Sequence, residues 1–202
     1  MLSAHEIDPL RRSLGGGIAS IAIEEGLTVV TGGTDAGIFA LFGQAIGDRR
    51  TAPCIGVAPT GRVAWSDTGA AHAPEDEQLA ALEPHHSHFL LVSGDTWGVE
   101  AAAMIALCDS LGSECASVAV IAGGGGGARA EVLLHVRARR DLIVLAGSGR
   151  FAGQLAEAVS TGETADSEIE EIAASRLVEV VGVADPPSAL AALIRRRLKL
   201  KR

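Results

Sequence analysis

Short, unbroken apolar runs alternate along this chain with longer segments whose apolar positions recur every three or four residues. The runs are Leu27–Thr31, Pro53–Ala58, Ser87–Val92, Ser117–Ala122, Leu142–Ala146 and Leu177–Val183. Their length and aliphatic, β-branched content predict buried strands starting near Thr28, Cys54, Phe89, Val118, Ile143 and Val178. The first run, with Leu27, Val29 and Val30, reads as buried on both faces. Ser3–Glu25 carries Leu10, Leu14, Ile18, Ile21 and Ala22 on one helical face. Gly15–Gly17 predicts a break or kink in it, and Gly26 a C-terminal cap. Further helices are predicted from Ala36, over Val99–Leu111, after Gly127, after Arg150, over Thr164–Ser175 and from Pro186–Pro187 onward. Alternating strands and helices of this kind predict an α/β chain, a doubly wound and mainly parallel sheet with helices on both faces. From Pro59 to Pro84 the chain is polar and rich in Gly, Pro, Asp and Ala, with one short helix expected around Glu75–Leu82. A loop of that length is functional or mobile, and it is expected to cover the carboxyl edge of the sheet.

Three of the strands run into glycine: TGGTDAG (Thr31–Gly37), GGGGG (Gly123–Gly127) and GSGR (Gly147–Arg150). Each turn opens a predicted helix. Glycine lets the backbone turn tightly and approach a ligand, while the helix start offers unpaired N–H groups and partial positive charge to an anion. None of the three is GxGxxG or the Walker sequence with its Lys, so the signal lies in the recurrence. In a parallel sheet all three turns lie at the carboxyl edge, where open α/β folds bind ligands.

A length of 202 residues suits one domain spanning 1–202 with a substantial core. The formal net charge of -8 and the scarcity of aromatic residues argue against nucleic acid as a partner. Cys54, Cys108 and Cys115 have no metal-ligand spacing and read as buried thiols in a reducing cytoplasm. No apolar run reaches the roughly 20 residues of a membrane helix, and the start, MLSAHEIDPLRR, is not that of a signal peptide. His85, His86 and His88 lack a nearby Cys. Strand alternation would set His86 and His88 on one face with His85 on the other, so they read as structural rather than metal-ligating. No serine sits in GxSxG. The terminal RRRLKLKR reads first as bases complementing a helix C-terminus.

VVTGGTDAG, LEPHHSHFLLV (Leu82–Val92), WGVE (Trp97–Glu100) and VLAGSGR (Val144–Arg150) occur in that order. Together they resemble the SLOG domain of TRPM cation channels and the soluble bacterial proteins built on it. The resemblance covers roughly Leu27 to Ser160. More distantly, Gly124, Gly125, Gly127 and Glu131 fit the GGxGTxxE pattern of the LOG phosphoribohydrolases, with Ala128 in place of the Thr. The resemblance implies a Rossmann-like fold that binds a phosphorylated nucleotide derivative, ADP-ribose or a relative of NAD.

The candidate ligand-binding residues are Gly32, Gly33, Thr34, Asp35 and Gly37 in the first turn, Gly124, Gly125, Gly126 and Gly127 in the second, and Gly147, Ser148, Gly149 and Arg150 in the third. Asp95, Trp97, Gly98 and Glu100 complete the set. Arg150 is suited to fork two phosphate oxygens, and Ser148 to contact phosphate. Asp35 suits a ribose hydroxyl and Thr34 a phosphate, although both residue types also cap helices. Trp97 offers a face to a purine. Glu131 enters as a catalytic candidate only if the chain is a nucleotide hydrolase. The favoured reading is a binding or sensing domain, with N-glycosidic hydrolysis as the alternative. An NAD-dependent oxidoreductase is disfavoured, since no Lys or Tyr stands out as a hydride-transfer partner. No metal or cofactor is expected. The Ala-rich Ala101–Leu107 segment suits packing against a second copy, so a homo-oligomer is expected.

Overall fold

A computed structural model describes residues 4–47, 52–65, 79–113 and 115–200. The chain opens with α1 (Ala4–Arg12), a π-helical stretch (Ser13–Ala19) and α2 (Ser20–Glu25), followed by β1 (Val29–Thr31), α3 (Gly37–Ile46) and β2 (Cys54–Pro59). Two-residue strands β3 (Val63–Ala64) and β4 (Ala80–Ala81) precede β5 (His88–Val92) and α4 (Ala101–Leu111). The remainder runs β6 (Val118–Ile121), α5 (Gly126–Arg137), β7 (Asp141–Ala146), α6 (Arg150–Thr161), α7 (Ser167–Ala174), β8 (Val178–Gly182) and α8 (Pro187–Arg197). Every ladder between these strands is parallel. β2 lies between β1 and β5, and β7 between β6 and β8. The fold is an α/β, Rossmann-like arrangement.

Alternation along each strand sorts its side chains to two faces. On β7, Leu142 and Val144 meet Leu133, Phe151 and Leu155 on one side, while Ile143 and Leu145 meet Leu14, Leu190 and Ile194 on the other. All four strand residues are wholly buried. Each contributes about 1.5–3 kcal/mol relative to exposure. The first half-sheet is covered on one face by Ala19 and Ala22 with Phe42 and Ile46, against Cys54 and Val29.

Among the described residues, β1 and β6 each have a ladder on one side only. Both line one cavity of about 440 Å³, running from Leu27 and Ser117 to Gly32 and Ala122. A seam therefore separates two half-sheets whose orders match the two halves of a doubly wound fold. It explains a departure from the sequence expectation: Val29, Val30 and Thr31 are half-buried, not enclosed on both faces.

The glycine-rich break falls inside the π-helical stretch. A Cβ on Gly16 would lie 2.9 Å from Pro187 Cβ, and one on Gly17 would lie 2.8 Å from Leu190 Cδ2. Gly16 and Gly17 thus let α8 pack against the N-terminal helix. Gly26 caps α2 in the left-handed conformation. In the helix expected around Glu75–Leu82, Ala80 and Ala81 instead pair with Val63 and Ala64, and 75–78 lie outside the described residues. Two-residue pairing leaves no periodicity to read. Of the thiols expected to be buried, Cys54 is, Cys108 is half-buried and Cys115 is exposed. Arg195, Arg196 and Arg197 pair with Glu24, Glu25, Glu179 and Asp141, so the basic end is compensated within the chain. No described helix is long and apolar enough to cross a membrane.

Candidate functional site

The second and third glycine turns meet. Phe151 N–H donates to Gly124 O at 3.3 Å and Ala152 N–H to Gly123 O at 2.8 Å. Ser148 Oγ donates to Leu145 O at 2.6 Å and accepts Gly123 N–H at 2.8 Å. The Ser148 hydroxyl, 2% exposed, is spent on holding the turns together. So are two of the N–H groups that a helix start would otherwise leave free on α6.

On α5 those groups stay open. Gly125 is its N-cap, and the first intrahelical bond runs from Arg129 N–H to Gly125 O. Gly126, Gly127 and Ala128 N–H have no backbone partner among the described residues. A Cβ on Gly125, Gly126 or Gly127 would meet nothing within 4 Å, and none of the three has a left-handed φ. Neither crowding nor backbone conformation requires glycine there. By contrast Gly124, at φ +87°, is crowded by Ala128, and Gly147, at +83°, by Val183.

Gly124, Gly125, Gly126, Arg129, Arg150, Phe151 and Gln154 line one pocket of about 530 Å³. The two arginines differ in commitment. Arg129 Nη1 binds Asp166 Oδ2 at 2.5 Å and Glu168 Oε2 at 3.3 Å, and its guanidinium lies 5.5 Å over the Phe151 ring. The Asp166 bond raises its proton affinity further. Asp166 is held below the usual carboxylate range, first by the Ile169 N–H it caps and then by Arg129. Arg150 is exposed and has no ion pair or hydrogen bond among the described residues. Its φ of 51° is left-handed, after Gly149 at 74°.

The first turn is built differently. Thr34 is buried and bridges Leu82, Asp35 N–H donates to Ala81 O at 2.8 Å, and Glu83 N–H to Gly33 O at 2.9 Å. Neither Thr34 nor Asp35 caps α3, whose N-cap is Ala36. Gly33, at φ +67°, approaches Gly56, where an added Cβ would lie 2.6 Å from the Gly56 Cα. Gly37 has a φ of 56° with open space beside it. Gly32 lines the seam cavity and not the α5 pocket. Beyond β5, Glu100 Oε2 accepts Gly98 N–H at 2.7 Å and closes the WGVE turn, with Trp97 and Asp95 exposed.

The family described as SLOG in TRPM, prokaryote, matches residues 1–192. The chain belongs to that family. Membership makes it a nucleotide-related ligand-binding or LOG-like domain. In this SLOG domain Glu131 turns away from the glycine pocket. It lies 3.5 Å from His135 Nε2, and with His135 and Arg140 it lines the seam cavity. Arg140 is buried and bonds His135 Nδ1 at 2.6 Å, Ser117 Oγ at 2.9 Å and Asp109. An arginine has no acceptor, so His135 carries its proton on Nε2, toward Glu131.

The histidines of the SLOG motif also depart from the strand alternation expected of them. β5 begins at His88, which is exposed, whereas His86 is buried and shares the Glu83 carboxylate with His85. Burial works against ionisation of Glu83, but the bonds from His85 and His86 outweigh it and hold its carboxyl below the ordinary value. Glu83 and Thr31 were not among the sequence candidates. The only signal for Glu83 was an acid beside the histidines of that motif. Among the described residues no group of three or more His, Cys, Asp or Glu is arranged to hold a metal ion.

Proposed function

We propose that this SLOG domain is a sensor or binding domain for a phosphorylated nucleotide derivative, ADP-ribose or a relative of NAD. A phosphate sits at the start of α5, against the open N–H groups of Gly126, Gly127 and Ala128, with Arg150 closing on it. The observation that carries the reading is the run Gly125–Gly127: glycines that the fold does not require, beside a guanidinium with no ion pair or hydrogen bond among the described residues. Glycine at helical positions costs about 0.5–1 kcal/mol relative to Ala. A ligand that must reach the backbone accounts for that cost. The helix start and a fork-shaped cation add to one another at an oxyanion. Binding is favoured over N-glycosidic hydrolysis because Glu131, the carboxylate of the LOG-like pattern, does not line this pocket. The test is calorimetric titration of the protein with ADP-ribose, NAD and AMP, alongside assays for free base and ribose phosphate. Saturable binding without turnover is expected. Rapid release of base from any of them would overturn the sensor reading.

A further inference from the structure

The first glycine turn rests on a hydrogen-bond chain that the α5 pocket does not use. Glu83 is 1% exposed and His86 7%. Glu83 Oε2 lies 2.7 Å from His86 Nδ1 and accepts His85 N–H at 2.9 Å, while Oε1 lies 2.7 Å from His85 Nδ1. An ionised carboxylate only accepts, so both imidazoles carry a proton on Nδ1. His86 Nε2 lies 2.7 Å from Thr31 Oγ1, and Gly33 N–H donates to that same oxygen at 3.0 Å. Thr31 is the last residue of β1. With Gly32 it lines the seam cavity, together with Ile121 and Ala122, which lead into the second glycine turn.

Counting protons along this chain leaves two arrangements. When His86 is neutral, Nε2 is bare and the Thr31 hydroxyl donates to it. When His86 is charged, Nε2–H donates to Oγ1, which already accepts from Gly33. Two donors then fill the oxygen's acceptor positions, and its O–H, still on the oxygen, is free to donate away from His86. Among the described residues, the groups facing His86 are few. Glu83 touches it, and His85 reaches it through Glu83. The Phe89 ring stacks on it with centroids 5.7 Å apart. On β2, the Cys54 thiol is pushed up to about 12 by burial and by Glu83, so it stays neutral. From α3, Gly43 packs against Glu83 and brings no charge.

We propose that Thr31 is a ligand-contacting residue that donates a hydrogen bond to a phosphate or carbonyl oxygen when His86 is protonated, with Glu83 and His86 as its positioning pair. This rests on the nucleotide-binding reading above and adds a contact from the first turn to it. One linked proton strengthens binding by at most about tenfold per pH unit. The probe is ADP-ribose, whose pyrophosphate charge is constant over the range in which imidazoles titrate, about pH 8 to about pH 5.5. Wild type is expected to bind about threefold to tenfold more tightly at the acid end. Thr31→Val keeps the shape and loses the hydroxyl, so its affinity should not change with pH. Thr31→Ser should restore the slope. Arg150→Ala should weaken binding throughout while the slope stays. An equal slope in Thr31→Val, or a flat wild type that still binds, overturns the proposal.

If wild type binds no ADP-ribose at any pH, the ligand reading fails on its own. Nitrogen-15 spectra then decide the proton relay. The Gly33 amide should shift with the midpoint of the His86 ring in wild type and Thr31→Ser, and cease to follow it in Thr31→Val. A Gly33 amide indifferent to His86 in wild type overturns the relay.

Discussion

Arg150 is a charged residue in a conformation that suits glycine. A left-handed φ costs a non-glycine residue about 1–2 kcal/mol, and among the described residues the Arg150 side chain makes no ion pair or hydrogen bond to offset it. Arg150→Gly should therefore leave the melting temperature unchanged or raise it while weakening ligand binding by about 1.5–3 kcal/mol. Thermal melts and calorimetry on the same sample check both halves, and a variant that binds normally removes Arg150 from the site. Arg129 shares that pocket but is neutralised by Asp166 and Glu168, so its removal should act chiefly on the α5–α7 contact. Glu83 carries a second prediction. Its carboxyl sits below the ordinary value, so the unfolded chain takes up the proton first as pH falls. The stability it contributes is complete above the unfolded value, about 4.3, and is lost as pH falls through the lower folded value. Glu83→Gln should cost about 1–3 kcal/mol at neutral pH by confronting the buried His86 and half-buried His85 donors with an amide. It should also flatten the acid limb of stability in urea titrations. Parallel acid limbs would mean that Glu83 is not the group being titrated. Cys115 should react with iodoacetamide in the native state while Cys54 does not, because burial keeps the Cys54 thiol protonated.

At the scale of elements, glycines in two helices should respond in opposite ways to alanine. Gly126 and Gly127 have open space, so replacing both should stabilise α5 by about 1 kcal/mol and weaken the ligand by crowding its backbone contacts. Gly17 has Leu190 Cδ2 in the way. Overpacking of about 1–3 kcal/mol there exceeds the propensity gain of about 1 kcal/mol, so Gly17→Ala should lower stability. Denaturant melts of the two variants separate the two cases. The major strands were legible because buried aliphatic runs announce themselves: Cys54, Val118 and Val178 start where expected, and the others lie within two residues. β3 and β4 were not, being too short to show a period. The seam was hidden for another reason. Apolar pattern reports whether a residue leaves water, and says nothing of whether its backbone finds a neighbouring strand. In the site, the glycines were visible, but their division between two cavities was not. That division depends on Ser148 and the start of α6 spending their hydrogen bonds on each other's turns. The Glu83–His86–Thr31 chain joins residues from separate strand–helix units, and no local spacing encodes it.

For the whole molecule, a ligand at a hundred times its dissociation constant stabilises the fold by about 2.7 kcal/mol. In a chain of this size that raises the melting temperature by about 5–10 °C, an effect a thermal-shift screen over nucleotides reads directly. A nucleotide set that gives no shift at saturating concentration counts against the binding reading. The seam has a further consequence, visible in how amides trade protons for deuterons with solvent. In a parallel strand successive residues bond to opposite neighbours. β7 has a neighbour on each side, so all its interior amides should exchange slowly. β6 has one neighbour, so every second amide from Val118 to Ile121 faces the cavity and should exchange orders of magnitude faster than the one beside it. Such a comb of fast and slow positions marks a sheet held together by its faces and not by a continuous ladder. Uniform slow exchange along β6 would mean that in solution β1 and β6 spend their time zipped together.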